Sequence, residues 1–499
     1  MHNLLHLHPS GLVTQIITVI IMRKAMPSLH KLPLPLWLLL LTLPCIGQAA
    51  KVDLPASEWG LEQGDNCVSC HQKASNSLHQ QWQQSTHAAA GVNCFDCHQA
   101  DKDDTDAHEH EGEVIATIVS PKDCGRCHTK EAEEAKNSIH SQALALMVER
   151  TGATEEALES AGCTSCHGGR VEAAIDGTVS SGNWPNAGIG RINPDGSRGS
   201  CSACHGRHLF SKAQARDPAA CSSCHSGSES PDSEIYQQSR HGVLLQSQRE
   251  AMNFGSDSWI TGKDYSATAT CVTCHMGEAP GLNPTHDVGM RDAWSLNGPV
   301  SEKQSLVIFA NGSRRDLPLS HPSPRKGEAL AMIGGEEATI QAIASPNLRR
   351  KAMRKVCLEC HSSSFADRFF HQFDQQIEAY NQRFGIPGKA IMDDLYRQNR
   401  LTPTPFDEPL EKIWWQIWHD LGVSMRHGAA MSSLSHTFSD GLHAIEKRFY
   451  GAFLPEVRAV AGDEGESLIE RHLQSGSSPT LPTYGMVPAA TSTIDSNNE

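Results

Sequence analysis

Aromatic side chains are scarce in this 499-residue chain, at 6%, and apolar residues of all kinds make up only 38%. That is little for so long a chain, and it excludes a large conventional core built from side chains alone. Long apolar runs are missing as well. The one candidate, Pro33 to Leu43, is too short and too proline-rich to make a good membrane span, and no later segment comes closer. Acidic residues are absent from 1–49, which carry three basic ones, so removing that segment takes the formal charge from −15 to −18. A field of this sign disfavours nucleic acid and favours a cationic partner. Unpaired cysteines are also nearly absent: of 17, only Cys45 stands alone.

The other sixteen cysteines form eight C-x-x-C-H units. They are Cys67/Cys70/His71, Cys94/Cys97/His98, Cys124/Cys127/His128 and Cys163/Cys166/His167, then Cys201/Cys204/His205, Cys221/Cys224/His225, Cys271/Cys274/His275 and Cys357/Cys360/His361. A disulfide framework has no need of a histidine after every second cysteine. A single unit can be half a zinc site or a redox pair. Eight units that use every cysteine after Cys45 are the attachment pattern of c-type haem, in which two thiols bond the macrocycle and the histidine binds iron from one face. The sequence therefore predicts eight covalent haems. These macrocycles supply the apolar interior that the side chains lack. The expected fold is mainly α with little regular β, a multihaem cytochrome c fold in which peptide wraps packed haems, followed by a C-terminal helical region.

Arg23 and Lys24, the run Pro33–Leu43 and the small residues Gly47-Gln-Ala-Ala50 read as a signal peptide over 1–49, with Met26 as an alternative start. Cys45 leaves with it, and the exported product is expected in the periplasm, where c-type haem is attached. Residues 50–363 are expected to bind haem, 364–473 to be helical and 474–499 to form a disordered tail. Within the first of these, the acidic run Asp101 to Glu113 reads as a solvated loop, 170–200 as turns, and 301–350 as an insertion without a haem motif. Helical spacing covers Ser364–Asn399, Leu410–Met425 and Gly441–Gly451, interrupted at Gly385-Ile-Pro387 and Thr402-Pro-Thr-Pro405. Trp414, Trp415 and Trp418 suit helix packing or a subunit contact.

His208 follows His205 by three residues, too short a link to reach the opposite face of the same macrocycle, so it is expected to serve a neighbouring one. Fifteen histidines after residue 49 lie outside the motifs, more than eight irons need.

Several longer stretches carry a resemblance. Trp184-Pro-Asn-Ala-Gly-Ile-Gly-Arg-Ile-Asn-Pro-Asp-Gly-Ser-Arg-Gly-Ser-Cys201, Gly206-Arg-His-Leu-Phe-Ser211, Glu234-Ile-Tyr-Gln-Gln-Ser-Arg-His-Gly242, Ser85-Thr-His87, Thr285-His286-Asp-Val and Ile115–Cys124 resemble the octahaem hydroxylamine oxidoreductase family over about 60–450. The resemblance is to its hydroxylamine-oxidoreductase-like branch, which includes nitrite-reducing members. It implies seven bis-histidine haems and one five-coordinate catalytic haem on the fourth unit, Cys163, Cys166 and His167. It carries distal ligands over to His87, His110, His140, His208, His241 and His286, with His427 as first choice for the seventh and His443 as second. Where the family has an Asp-His pair after the sixth motif, this chain has Glu229 and Ser230, which keep a proton donor but lose the imidazole. The family's crosslinking tyrosine has no counterpart in Ser432–Leu442. The implied activity is hydroxylamine/nitrite interconversion, with reduction toward ammonia ahead of hydroxylamine oxidation. The implied partners are a small inorganic substrate, a small cytochrome c or quinone-linked membrane cytochrome, and further copies of the chain, as a trimer. A non-catalytic electron conduit and a sulfur-oxyanion reductase remain open alternatives.

Overall fold

One turn of α-helix brings positions i, i+3 and i+4 onto a common face, which is what two thiols and a histidine need to meet one planar ring. In the computed structural model these units take that form. The histidine N–H donates to the carbonyl of the first cysteine at 2.9 Å in Cys124–His128, 3.0 Å in Cys163–His167 and 2.9 Å in Cys357–His361. The single-turn helix Cys94–His98 starts at a capping box between Asn93 and Asp96, and Pro121–Cys124 at one between Ser120 and Asp123. Gly168 (φ +85°) and Gly206 (φ +67°) end two of the turns in a conformation that a Cβ would resist.

The structure describes residues 61–174, 176–179, 186–228 and 230–474. The signal-like segment with Cys45, Trp184, Glu229 and the tail from 475 lie outside the described residues. The fold is mainly α, at 51% helix and 11% strand. Among the described residues no helix is long and apolar enough to cross a membrane.

Two regions depart from the sequence reading. The acidic run is not all loop: β1 (Ala107–His110) and β2 (Glu113–Ala116) pair antiparallel, His110 opposite Glu113. Glu111 and Gly112, both at positive φ, make the tight turn that such a hairpin favours. The stretch after residue 290 is an antiparallel sheet of β3 (Trp294–Ser295), β4 (Glu302–Phe309), β5 (Arg314–Pro318), β6 (Ala329–Ala331) and β7 (Glu337–Ala344). The order is β3-β4-β7-β6, with β5 paired to β4. Val307, Phe309, Leu317 and Ile340 form its core.

Buried arginines bolt this sheet to the motif-bearing chain. Arg349, on the helix Pro346–Cys357 that leads into the eighth unit, pairs with Asp316 of β5 at 2.5 Å and donates to the carbonyl of Gly289 at 2.6 Å. Arg291 donates to the carbonyls of Cys274 and Gly277, and Arg314 of β5 pairs with Asp287 beside His286. The sheet thus fixes the approach to the eighth unit and the segment carrying His286, while Arg291, three residues before β3, ties in the seventh unit.

The C-terminal helices pack as expected, with one difference. Gly385-Ile-Pro387 does not break its helix: Ser363–Tyr380 passes through a wide π-type turn, Asn381–Gly385, into Ile386–Arg397. The extra residue in that turn accommodates proline's missing N–H and its ring. Trp414 is buried against Gly388, where a Cβ would come within 2.2 Å of the indole. Arg426 is fully buried over the Tyr380 ring at 4.3 Å, and its N–H groups reach the carbonyls of Gly298, Trp418 and Gly422.

Candidate functional site

The histidines of the units do not stand alone. A metal–imidazole bond is about 2.0–2.1 Å and a ring nitrogen lies about 1.1 Å from its centroid, so two imidazoles on opposite sides of one metal have centroids about 6.2 Å apart. The structure brings His71 and His110 to 6.2 Å, His87 and His128 to 6.0 Å, His140 and His225 to 6.2 Å, His205 and His286 to 6.5 Å, and His241 and His361 to 6.2 Å. Each pair joins one motif histidine to one distant in sequence. His208 lies near His98, whose charge adds to burial in lowering its pKa. His205 therefore faces His286 rather than its sequence neighbour. Burial also lowers the pKa of His140 and His205 to about 4, so these rings are neutral and able to bind metal at ordinary pH. Donor chemistry and spacing both fit c-type haem.

Contacts among thiols give the order of the sites in space. Cys124 lies beside Cys201, Cys221 beside Cys271, and Cys166 beside Cys224. Cys94 interacts with Cys67, Cys97 with Cys124, Cys204 with Cys221, and Cys274 with Cys357. The path runs through units one, two, three, five, six, seven and eight, and the fourth branches from the sixth.

Among the attachment thiols, Cys70 and Cys127 stand out. Both are exposed, as is Cys360, whereas the other thirteen are half-buried. The reason is geometric. In the first and third units the leading cysteine turns toward a neighbouring unit, Cys67 to Cys94 and Cys124 to Cys201. The second cysteine, one turn further along the chain, is left at the outer rim. Attachment is to the edge of a macrocycle, so Cys70 and Cys127 mark edges that meet solvent rather than the middle of the stack.

The fourth unit is closed by backbone. Ile189 N–H donates to the carbonyl of Cys166 at 2.9 Å, Ile192 N–H to Gly169 at 3.1 Å, and the Asn186 amide to Gly169 at 2.9 Å. A Cβ on Gly168 would lie 2.3 Å from Arg191 N, and one on Gly190 2.6 Å from the carbonyl of His167. This close crossing is why the sequence reads Gly188-Ile-Gly-Arg191. Arg191 is buried and donates to Asn193 at 2.6 Å; burial lowers its pKa to about 10. Burial also lowers the pKa of His167, against a hydrogen bond to the backbone of Ala143. Among the described residues no histidine ring faces His98, His167 or His275 at the spacing of the five pairs, though His208 lies near His98.

The first choice for the seventh distal ligand is corrected beside the sixth unit. His427 does not have a nitrogen free for metal: its Nδ1 is 2.6 Å from Asp232 Oδ1 and its Nε2 3.0 Å from Asn297 Oδ1. The second choice, His443, is exposed on the helix His443–Arg448. Ser230 touches the back of the sixth unit's histidine, with its Oγ 3.1 Å from His225 Nδ1 and donating to Asp232 Oδ2 at 2.9 Å. The residue that sequence reasoning missed is Asp232 itself, 3.0 Å from His225 Nδ1. Burial opposes its ionisation, but hydrogen bonds from His225 and His427 outweigh that and hold it well below the usual carboxylate range. An aspartate seven residues after a motif histidine was the available signal.

The eight C-x-x-C-H units and the paired histidines are the features a multihaem c-type cytochrome requires. A family model described as "Seven times multi-haem cytochrome CxxCH" matches residues 90–306. The chain is 27% identical over 389 residues to a probable nitrite reductase–hydroxylamine oxidoreductase fusion protein of Kuenenia stuttgartiensis, covering 69% of this chain and 39% of that protein. It thus spans about two fifths of that relative's length. Its fold is similar to a hypothetical multiheme protein, with TM-score 0.65 and 23% identity over 80% of this chain and 96% of that one. A reducing HAO-like protein complex of Kuenenia stuttgartiensis is similar at TM-score 0.52 and 20% identity, covering 83% and 86%. In motif, fold and sequence the chain is thus similar to multihaem cytochromes, among them proteins described as hydroxylamine-oxidoreductase-like.

Proposed function

We propose that the chain carries eight covalently attached haems and reduces a small nitrogen species, nitrite or hydroxylamine, toward ammonia at the fourth. The observation that carries this is the contrast between five motif histidines with a facing ring and His167 with none, in a unit braced by its own backbone clamp. Cys163, Cys166 and His167 would hold the fourth haem, which would supply substrate binding and one-electron steps, and the other seven units would hold the stores of further electrons that such a reduction consumes. The protein's part is positional. Gly168, Gly188 and Gly190 let two backbone segments close on the unit, and Asn186 and Ile189 hold them there. Glu229 is assigned proton delivery. We place the protein in the periplasm, exchanging electrons with a cytochrome c or quinone-linked cytochrome.

EPR of the full holoprotein tests this. A high-spin signal that nitric oxide perturbs is expected, lost when Cys163 and Cys166 are both changed to Ala and retained when Cys271 and Cys274 are. The second half of the test matters because His275 also lacks a facing ring. A wholly low-spin spectrum indifferent to nitric oxide would make the chain a conduit. Steady-state assays with nitrite, hydroxylamine and tetrathionate then select the substrate, and turnover of tetrathionate alone would overturn the nitrogen assignment.

A further inference from the structure

We propose that Asp232 is a positioning residue that holds the sixth site at low reduction potential, making it the electron donor to the fourth. This rests on the reading above, that both units carry haem and that the fourth is the reacting one.

The geometry is specific. Asp232 Oδ2 accepts from His225 Nδ1 at 3.0 Å and from Ser230 Oγ at 2.9 Å. Its other oxygen lies 2.6 Å from His427 Nδ1, and His427 is steadied in turn by Asn297 at 3.0 Å. The carboxylate is thus fixed from three sides, by the chain after the sixth unit and by the helix Gly422–Met431 almost two hundred residues away. Two other motif histidines are backed by neutral groups: His98 Nδ1 by the Ala116 carbonyl at 2.8 Å and His275 Nδ1 by the Val288 carbonyl at 3.2 Å. Asp292 stands 3.7 Å from His275, beyond good hydrogen-bond range.

A carboxylate behind a metal-bound imidazole makes that ring a stronger donor than a carbonyl does. It also adds a negative charge close to the metal in a low-dielectric interior. Both effects stabilise ferric over ferrous iron and lower the potential. The location gives this a consequence. Cys224 of the sixth unit touches Cys166 of the fourth, so the sixth is where the electron path branches toward substrate. One electron leaving ferrous iron at the sixth site, which becomes ferric, is taken up at the fourth. A low potential at the donor favours that transfer and opposes its reverse, so the device suits reduction of substrate rather than its oxidation.

Potentiometric titration of the holoprotein, followed by EPR, tests it. In Asp232→Asn one low-spin component should shift toward the ferrous form by about tenfold in its redox equilibrium, equivalent to about 59 mV upward for one electron. His427→Gln leaves the carboxylate but loosens it, and should move the same component the same way by less, whereas Asp232→Glu should restore much of the original value. An unchanged or lowered component in Asp232→Asn, or in His427→Gln where the former fails to mature, would overturn the assignment. The nitric-oxide-sensitive signal reports on the fourth site separately. If it is missing while the Asp232 component still moves, the open-site reading fails and the role of Asp232 at the sixth unit stands.

Discussion

Helix is the main regular structure of both the chain from 61 to 230 and the chain from 363 to 474, yet they hold together by different means. In the first, apart from prolines, five apolar side chains are buried among the described residues: Ala116, Ile118, Leu144, Leu158 and Val171. In the second, eighteen buried side chains from Tyr380 to Ile469 form one continuous cluster. Burial of apolar area is the main term opposing chain entropy, and five scattered side chains cannot offset the ordering of some 170 residues. The comparison teaches that helix content says little about what stabilises a region. The motif-bearing part gathers its histidines in pairs that bound haem would tie together, and the C-terminal part is held by packing.

The strongest way to break that contrast is to withhold haem. Chain produced without haem attachment should lose protection from hydrogen exchange throughout 61–290, while 386–461 keeps slow-exchanging amides. Equal protection of both would refute the division. The converse perturbation is Phe449→Ala, which empties a fully buried position between Phe384 and Phe453. It should cost about 3–5 kcal/mol in denaturant unfolding of the C-terminal region. Mass spectrometry should show no change in attached haem, since no motif histidine touches that ring.

The sequence displayed these two regimes unequally. The units of the motif-bearing part were legible because covalent chemistry fixes residue type and spacing, and the helices after 363 because apolar periodicity marks a packed face. Spacing says nothing of exposure, however, which is why Cys70 and Cys127 read the same as the half-buried thiols. The sheet was not legible from the lack of a haem motif, although Asn311-Gly312 and Gly334-Gly335 flank its strands as turn signals. Its role depends on Arg291, Arg314 and Arg349, whose partners lie far along the chain or on its other elements. Asp232 escaped for the same reason. Its meaning comes from His427, and a single sequence does not display that contact. The π-type turn at Asn381–Gly385 was hidden because Gly385 and Pro387 ordinarily mark a helix end, and only packing against Pro299 and Trp414 carries the helix through.

A more local test asks whether the fourth unit belongs to the haem-ordered regime or is held by its own backbone. Gly168 has φ +85°, and its Cβ would collide with Arg191 N. Gly168→Ala should strain the 186–192 crossing by about 1–3 kcal/mol. The nitric-oxide-sensitive signal should broaden or vanish, with the low-spin components from the paired histidines intact. A normal signal would mean that haem alone organises the unit.

The smallest expected effect lies at the seam between the sheet and the C-terminal helices. Asp374 pairs with Arg350 at 2.6 Å, accepts from Trp294 Nε1 at 2.9 Å and stands 3.4 Å from Lys303 of β4. Burial works against its ionisation, but the hydrogen bonds from Arg350 and Trp294 and the two cations prevail and lower its pKa. A carboxyl whose folded pKa is depressed contributes stability above its unfolded pKa of about 3.9 and loses it as pH falls through the folded value. Because the pair is partly solvated, the contribution is about 1 kcal/mol or less. Asp374→Asn should therefore lower the denaturation midpoint of the C-terminal region slightly at neutral pH, and the difference from wild type should shrink as pH drops below about 4. A difference that stays constant across that range would show that Asp374 contributes through shape and neutral hydrogen bonding, leaving the seam to the packing of Trp294 against Phe373 and Ile377.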